Sequence, residues 1–152
     1  MDKILRIDMG AEGGPKVTEE PVGDYAGLGG RALTSTLVAK EVPPLCHPLG
    51  ADNKLVIAPG MLSGTTAAMS GRLSVGAKSP LTGGIKEANA GGQAAQVLAR
   101  LGYAAIVLEG KPPKDDLYRV HINRDGVKVI LDNNEIGDPN RLRVGQKLFI
   151  PE

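Results

Sequence analysis

Cysteine is nearly absent from this sequence: Cys46 is its one thiol in 152 residues. That excludes an internal disulfide framework and any multi-cysteine metal or iron–sulfur site built within the chain. Tryptophan is missing and aromatics make up only 3%, so a core must be assembled from Val, Ile, Leu and Ala. Neither sign of charge is in excess, with 18 basic against 17 acidic residues and a formal net charge of +1. A non-specific nucleic-acid binder and a polybasic membrane anchor are therefore not indicated. No apolar run approaches the roughly twenty residues that span a bilayer, and no apolar leader segment follows Met1. These absences predict a soluble, cytoplasmic chain without nucleic-acid or membrane partners.

What is present is backbone-shaping chemistry. Twenty-one glycines and eleven prolines sit among periodic apolar runs, so they read as turns in a folded domain rather than as disorder. The length fits one domain, or one domain with a short appendage. "KILRIDM" (3–9) alternates with a period of two and predicts a strand, and "KVTEEPV" follows it as the second strand of a hairpin. "RALTSTLVAKEV" predicts a helix that Pro43-Pro44 stops. "KLVIAPG" (54–60) predicts a buried strand. "RLSVGAK" (72–78) predicts a half-buried one, with Leu73, Val75 and Ala77 on its apolar face. "GGQAAQVLARLG" (91–102) predicts a second helix ending at Gly102. "AAIVLEG" (104–110) is the most apolar strand, and "LYRVHIN" and "GVKVILD" flank "RDG" as a hairpin. The pattern is strand-rich α+β with two helices.

One stretch carries chemistry: "GRLSVGAKSPLTGGIKEANAGG" (71–92), with six glycines, two lysines, an arginine and an asparagine in 22 positions. Arg72 begins a strand on its polar face. "KSPLTGG" is a tight loop in which Pro80 fixes φ and glycine permits positive φ. "NAGG" (89–92) reads as a turn directly before the second helix, where unpaired amides and the helix dipole favour an anion. Such bare backbone suits a flat, phosphorylated ligand, with Arg72 as a charge-assisted donor. Glycines are equally what turns require, and Asn89 is equally what a helix N-cap requires. There is no G-x-x-x-x-G-K-[ST] loop, and "GLGGRA" (27–32) lacks the dinucleotide-binding spacing.

"KILRIDM", "GLGGRAL", "PLGADNKLVIAPGMLSGT", "SGRLSVGAKSPLTGGIKEANAGG" and "LGYAAIVLEGK", in that order, resemble the N-terminal domain of the aldehyde ferredoxin oxidoreductase family. The resemblance runs from about residue 3 to 132. It implies a β-sheet saddle under a bis-pterin cofactor (tungstopterin, or its molybdenum form) whose phosphates are bridged by magnesium. By the same resemblance, Arg72 contacts the cofactor, the Asn89 backbone carbonyl meets the magnesium, and the Gly91 backbone meets the pterin or its phosphate. Lys78, Thr82 and Arg31 belong to the shared motifs without an assigned ligand. Cys46 reads as a structural thiol, His47 and His121 as structural, and Met61 and Met69 as fillers beside the sheet.

The family's enzymes are several hundred residues long, with a four-cysteine iron–sulfur cluster, a second pterin segment and acidic residues from later domains. The resemblance therefore implies further domains or subunits carrying the cluster, ferredoxin reached through them, and a saddle incomplete in this chain. No residue here is assigned a catalytic role, and no iron–sulfur cluster is expected within it. This predicts a cofactor-binding portion that is not a competent oxidoreductase alone. The alternative is a non-catalytic binding module that reuses the fold. The tail "NNEIGDPNRLRVGQKLFIPE" (133–152) breaks the preceding alternation and resembles the C-terminal half of a LysM glycan-binding module. The simpler reading is a turn at "GDPN" followed by an edge strand, and the expected boundary lies between 3–132 and 133–152.

Overall fold

A computed structural model describes residues 1–113 and 116–131. The tail at 133–152, with its LysM resemblance, lies outside them. The chain divides into two compact units, residues 1–113 and 114–152.

The first unit is a six-stranded mixed sheet with two helices. In chain order the elements are β1 (Lys3–Asp8), β2 (Lys16–Pro21), a 3₁₀ turn (Gly23–Tyr25), α1 (Gly30–Glu41), β3 (Leu55–Pro59), β4 (Arg72–Lys78), β5 (Ile85–Gly91), α2 (Gln93–Arg100) and β6 (Tyr103–Glu109). The strand order is β2-β1-β6-β3-β4-β5. The most apolar segment, β6, lies inside the sheet, parallel to β1 and antiparallel to β3. The β1–β2 hairpin forms as its alternation predicts, with Lys3 opposite Pro21 and Asp8 opposite Lys16.

The core is aliphatic. Ile4, Val56, Ala58, Ala105 and Val107 from the sheet pack with Leu33, Leu37, Val38 and Val42 from the α1 segment. Leu5 and Ile7 are fully buried as well, so the centre of the sheet is covered on both faces. Each fully buried Leu or Ile contributes about 2 kcal/mol relative to exposure. Helix α1 lies over β3, β4 and β5, and α2 packs against β3, β6 and β4. Gly102 (φ +87°) closes the segment after α2, its N–H bonded to Ala99 O at 3.0 Å.

Two expectations are corrected. On β4 the buried side chains are Ser74, Gly76 and Lys78, while Leu73, Val75 and Ala77 are only partly buried. Helix α1 selects the small-residue face: a methyl on Gly76 would lie 2.8 Å from Thr34 Cβ, and Thr34 is fully buried. The "NAGG" segment is not a turn either. Asn89 to Gly91 continue β5, paired with Ser74 to Arg72, and Gly92 alone (φ +132°) joins that strand to α2. The β4 alternation extends its register across the whole hairpin and draws the glycines into it.

In the second unit, β7 (Tyr118–Asn123) and β8 (Gly126–Leu131) form the hairpin expected around "RDG". Asp125 N–H donates to Asn123 Oδ1 at 2.9 Å, and Gly126 takes φ +133°.

Candidate functional site

The three residues singled out from the sequence meet at one corner of the sheet. Arg72 is opposite Gly91, and Ser74 is opposite Asn89. The ladder's phase decides what they present. Gly92 N–H donates to Gly71 O at 3.0 Å, and Ser79 N–H donates to Gly84 O at 2.7 Å. Both bonds join register partners, so the Arg72–Gly91, Ser74–Asn89 and Gly76–Glu87 pairs are the non-hydrogen-bonded ones. Their β5 members therefore direct N–H and C=O away from β4. Among the described residues strand β5 ends the sheet order, so there the main chain of Glu87, Asn89 and Gly91 faces outward along an open edge. The main chain of Arg72 is used inward, its carbonyl accepting from Gly60 N–H at 2.9 Å.

The Arg72 side chain is exposed, with no hydrogen-bond or ion-pair partner among the described residues. Gly91 has room above it: a methyl there would come no closer than 4.0 Å to Gly71 O. The Asn89 side chain is occupied. Its Oδ1 accepts from Ser74 Oγ at 3.3 Å and its Nδ2 donates to Glu87 Oε1. Glu87 Oε2 accepts in turn from Arg31 Nε at 3.1 Å. What Asn89 offers outward is thus its main chain.

The amide contribution comes from an unexpected place. The sequence assigns the anion-favouring helix end to α2, but the N–H of its N-cap Gly92 is spent on Gly71. Helix α1 also begins without a side-chain cap or an acidic first turn, and its N-terminus sits on β4. A methyl on Gly30 (φ +52°) would lie 3.4 Å from Ser74 Oγ, and one on Gly29 would lie 2.9 Å from Met61 N. The glycines of "GLGG" thus let the positive end of α1 settle beside Arg72 and Asn89. Sequence reasoning noted that motif but had no means to place it here.

Residues with open roles resolve into structural ones. Lys78 is 9% exposed and its Nζ donates to Pro44 O. Asn53 brackets the Lys78 main chain at both N–H and carbonyl, each at 3.1 Å. Ser79 Oγ accepts from the Leu81 and Thr82 amides, and Thr82 Oγ1 accepts from Gly84 N–H. Lys78 and Thr82 therefore build the 79–84 loop. Arg31 ties α1 to β5. His47 Nδ1 accepts from Leu49 N–H, His121 lies on β7, and Cys46 is a free, partly buried thiol against the core. Met61 and Met69 are not fillers: they are 52% and 98% exposed, and Met69 holds a positive φ of 56°.

Among the described residues no group of three or more His, Cys, Asp or Glu could hold a metal ion. Two cavities, of about 210 and 380 Å³, lie beside Lys78, and neither is lined by Arg72, Asn89 or Gly91. The candidate site is an open edge rather than a pocket. It still fits an anionic, metal-bridged organic group: it has a free guanidinium, outward carbonyl and amide groups, an uncapped helix start and no bulky side chain at Gly91. No helix among the described residues is long and apolar enough to cross a membrane.

Comparison with known proteins matches residues 4–145 to the family described as aldehyde ferredoxin oxidoreductase, N-terminal domain. A tungsten-containing aldehyde ferredoxin oxidoreductase of Pyrococcus furiosus is 51% identical over 87 residues, covering 57% of this chain and 14% of that protein. One of Pyrococcus abyssi is 39% identical over 130 residues, covering 84% and 21%. A solved structure, the active site complex BamBC of benzoyl coenzyme A reductase with 1,5-dienoyl-CoA, superposes with a TM-score of 0.77 at 28% identity. That superposition covers 86% of this chain and 20% of the other. The chain thus spans 14% to 21% of the length of the curated relatives it matches.

Proposed function

We propose that this chain, which belongs to the aldehyde ferredoxin oxidoreductase N-terminal-domain family, supplies one wall of the seat for a tungstopterin cofactor in a larger oxidoreductase. The observation that carries the reading is the outward main chain of Asn89 and Gly91 beside the unpaired Arg72. Arg72 would donate charge-assisted hydrogen bonds to the cofactor, the Asn89 carbonyl would meet the cofactor's magnesium, and the Gly91 backbone would meet the pterin or its phosphate. A hard cation such as magnesium prefers oxygen ligands and keeps phosphate among them. A backbone carbonyl is therefore a sufficient contribution from this chain.

When bound, the tungsten (or molybdenum) centre supplies two-electron oxidation of an aldehyde. On this reading the residues named here would bind and orient the cofactor. The described residues present one face and no enclosure, so the reading assigns substrate closure to further domains or subunits. These would also carry the iron–sulfur cluster and the route to ferredoxin, in the cytoplasm.

The test is to isolate the chain from a tungstate-fed anaerobic host and measure tungsten, molybdenum, magnesium and pterin per chain. Near-stoichiometric pterin with magnesium is the expected result. A chain free of both, isolated beside a relative that loads normally, overturns the reading.

A further inference from the structure

We infer that Glu87 is a positioning residue that fixes the Asn89 edge of the site proposed above, on which this inference rests, and holds the neighbouring Arg31 guanidinium. Glu87 and Asn89 are two residues apart on β5 and share the face that α1 covers. The Glu87 side chain is only 13% exposed, and both its oxygens are used. Oε1 accepts from Asn89 Nδ2, and Oε2 accepts from Arg31 Nε at 3.1 Å.

The consequence at Asn89 is mechanical. Its carboxamide is held at both ends, by Glu87 at nitrogen and by Ser74, itself 3% exposed, at oxygen. An edge strand has no neighbour on its outer side to keep its main chain in place, and such strands open readily. The side-chain clamp supplies that missing constraint where the carbonyl must keep its direction. The consequence at Arg31 is electrostatic. Its side chain is 72% exposed, and Nε alone is committed, to Glu87. Arg31 belongs to the first turn of α1, so its bond to Glu87 ties that turn to the edge strand. One carboxylate therefore couples helix, edge strand and cation. A carboxylate suits this role, because it offers a separate charged oxygen to each donor where glutamine offers one neutral oxygen. Outer partners of this kind orient the groups that touch a metal, and losing them typically costs about tenfold or more in metal affinity.

The test compares wild type, Glu87→Ala, Glu87→Gln and Arg31→Gln, each isolated from the tungstate-fed anaerobic host. Pterin and magnesium per chain are measured with the thermal midpoint and the Asn89 carboxamide signals in an amide-resolved NMR spectrum. Glu87→Ala is expected to stay folded, to lose its distinct, slowly exchanging carboxamide pair, and to retain about tenfold less pterin and magnesium. Glu87→Gln, which keeps one acceptor, should lie between. Arg31→Gln should keep the carboxamide signals and lose loading by only a few-fold. Wild-type loading in Glu87→Ala, or an unchanged Asn89 carboxamide, overturns the inference. If Glu87→Ala does not fold, the ordering of Glu87→Gln against Arg31→Gln decides it by the same two readouts. A wild-type chain that loads nothing instead sinks the preceding reading, and the carboxamide signals alone then decide whether Glu87 holds the edge.

Discussion

The two ends of helix α1 are built on opposite terms. At its C-terminal end the Glu41 carboxylate is held by three side chains. Glu41 accepts from Arg6 at 2.8 Å through both carboxylate oxygens, from Lys54 at 2.8 Å and from Tyr25 at 2.8 Å. Arg6 also reaches Glu20 at 2.7 Å, and Lys54 reaches Glu109 at 2.7 Å. At its N-terminal end the helix has no side-chain cap, Arg72 has no partner among the described residues, and the β5 main chain points away from β4. Several charges tie the C-terminal end to the sheet, and the Arg31–Glu87 pair ties the other. The difference teaches where to look for function: the dense charge network belongs to the C-terminal end, and the proposed site to the other.

Breaking the C-terminal end should have the largest effect. Glu41→Ala leaves Arg6 and Lys54 partly buried with fewer partners and is expected to cost about 3 kcal/mol, measured by denaturant unfolding. Cofactor content per folded chain should not change. Gly76→Ala places a methyl 2.8 Å from Thr34 Cβ under the middle of the same helix. It should cost about 2 kcal/mol by overpacking, with a shorter side chain at Thr34 giving partial rescue.

Acid probes the same end more gently. Burial opposes the Glu41 charge, but hydrogen bonds from Arg6, Lys54 and Tyr25 outweigh it and hold the carboxyl at about 2, down from 4.5. A lowered native value stabilises the fold above the unfolded value, and that contribution is lost as pH falls from about 4.5 towards 2. With the side chain 20% exposed, the loss should be on the order of 1–2 kcal/mol after solvent screening. Glu41→Gln should flatten that part of the stability–pH curve. Burial, reinforced by Glu41, pushes the Tyr25 hydroxyl up to about 12. At the N-terminal end, Arg72→Ala should leave the thermal midpoint unchanged and lower pterin retention about tenfold, or about 1.4 kcal/mol.

Much of this comparison was legible in the sequence, but unevenly. Period-two runs placed β1 and β4, a hairpin reading placed β2, short apolar runs placed β3 and β6, and the Pro43-Pro44 stop bounded α1. Local alternation is the strongest signal a chain carries. The same signal chose the wrong face of β4, because helix contact there favours small Ser74 and Gly76 over Leu73 and Val75. Arg72, Asn89 and Gly91 came out of one motif and lie at one corner of the sheet. Glu87 did not, because its meaning depends on Arg31, 56 residues away. The β5 ladder phase, which aims Asn89 outward, is a property of pairing that no single strand encodes.

That phase is also where the account is most exposed. Amide hydrogen exchange on the cofactor-free chain should alternate along β5, slow at Ala88 and Ala90 and fast at Asn89 and Gly91. Protection at Gly91 should rise once pterin is loaded. Uniformly slow exchange at Asn89 and Gly91 in the free chain would mean that those amides are already spent, and that the open edge is not the seat.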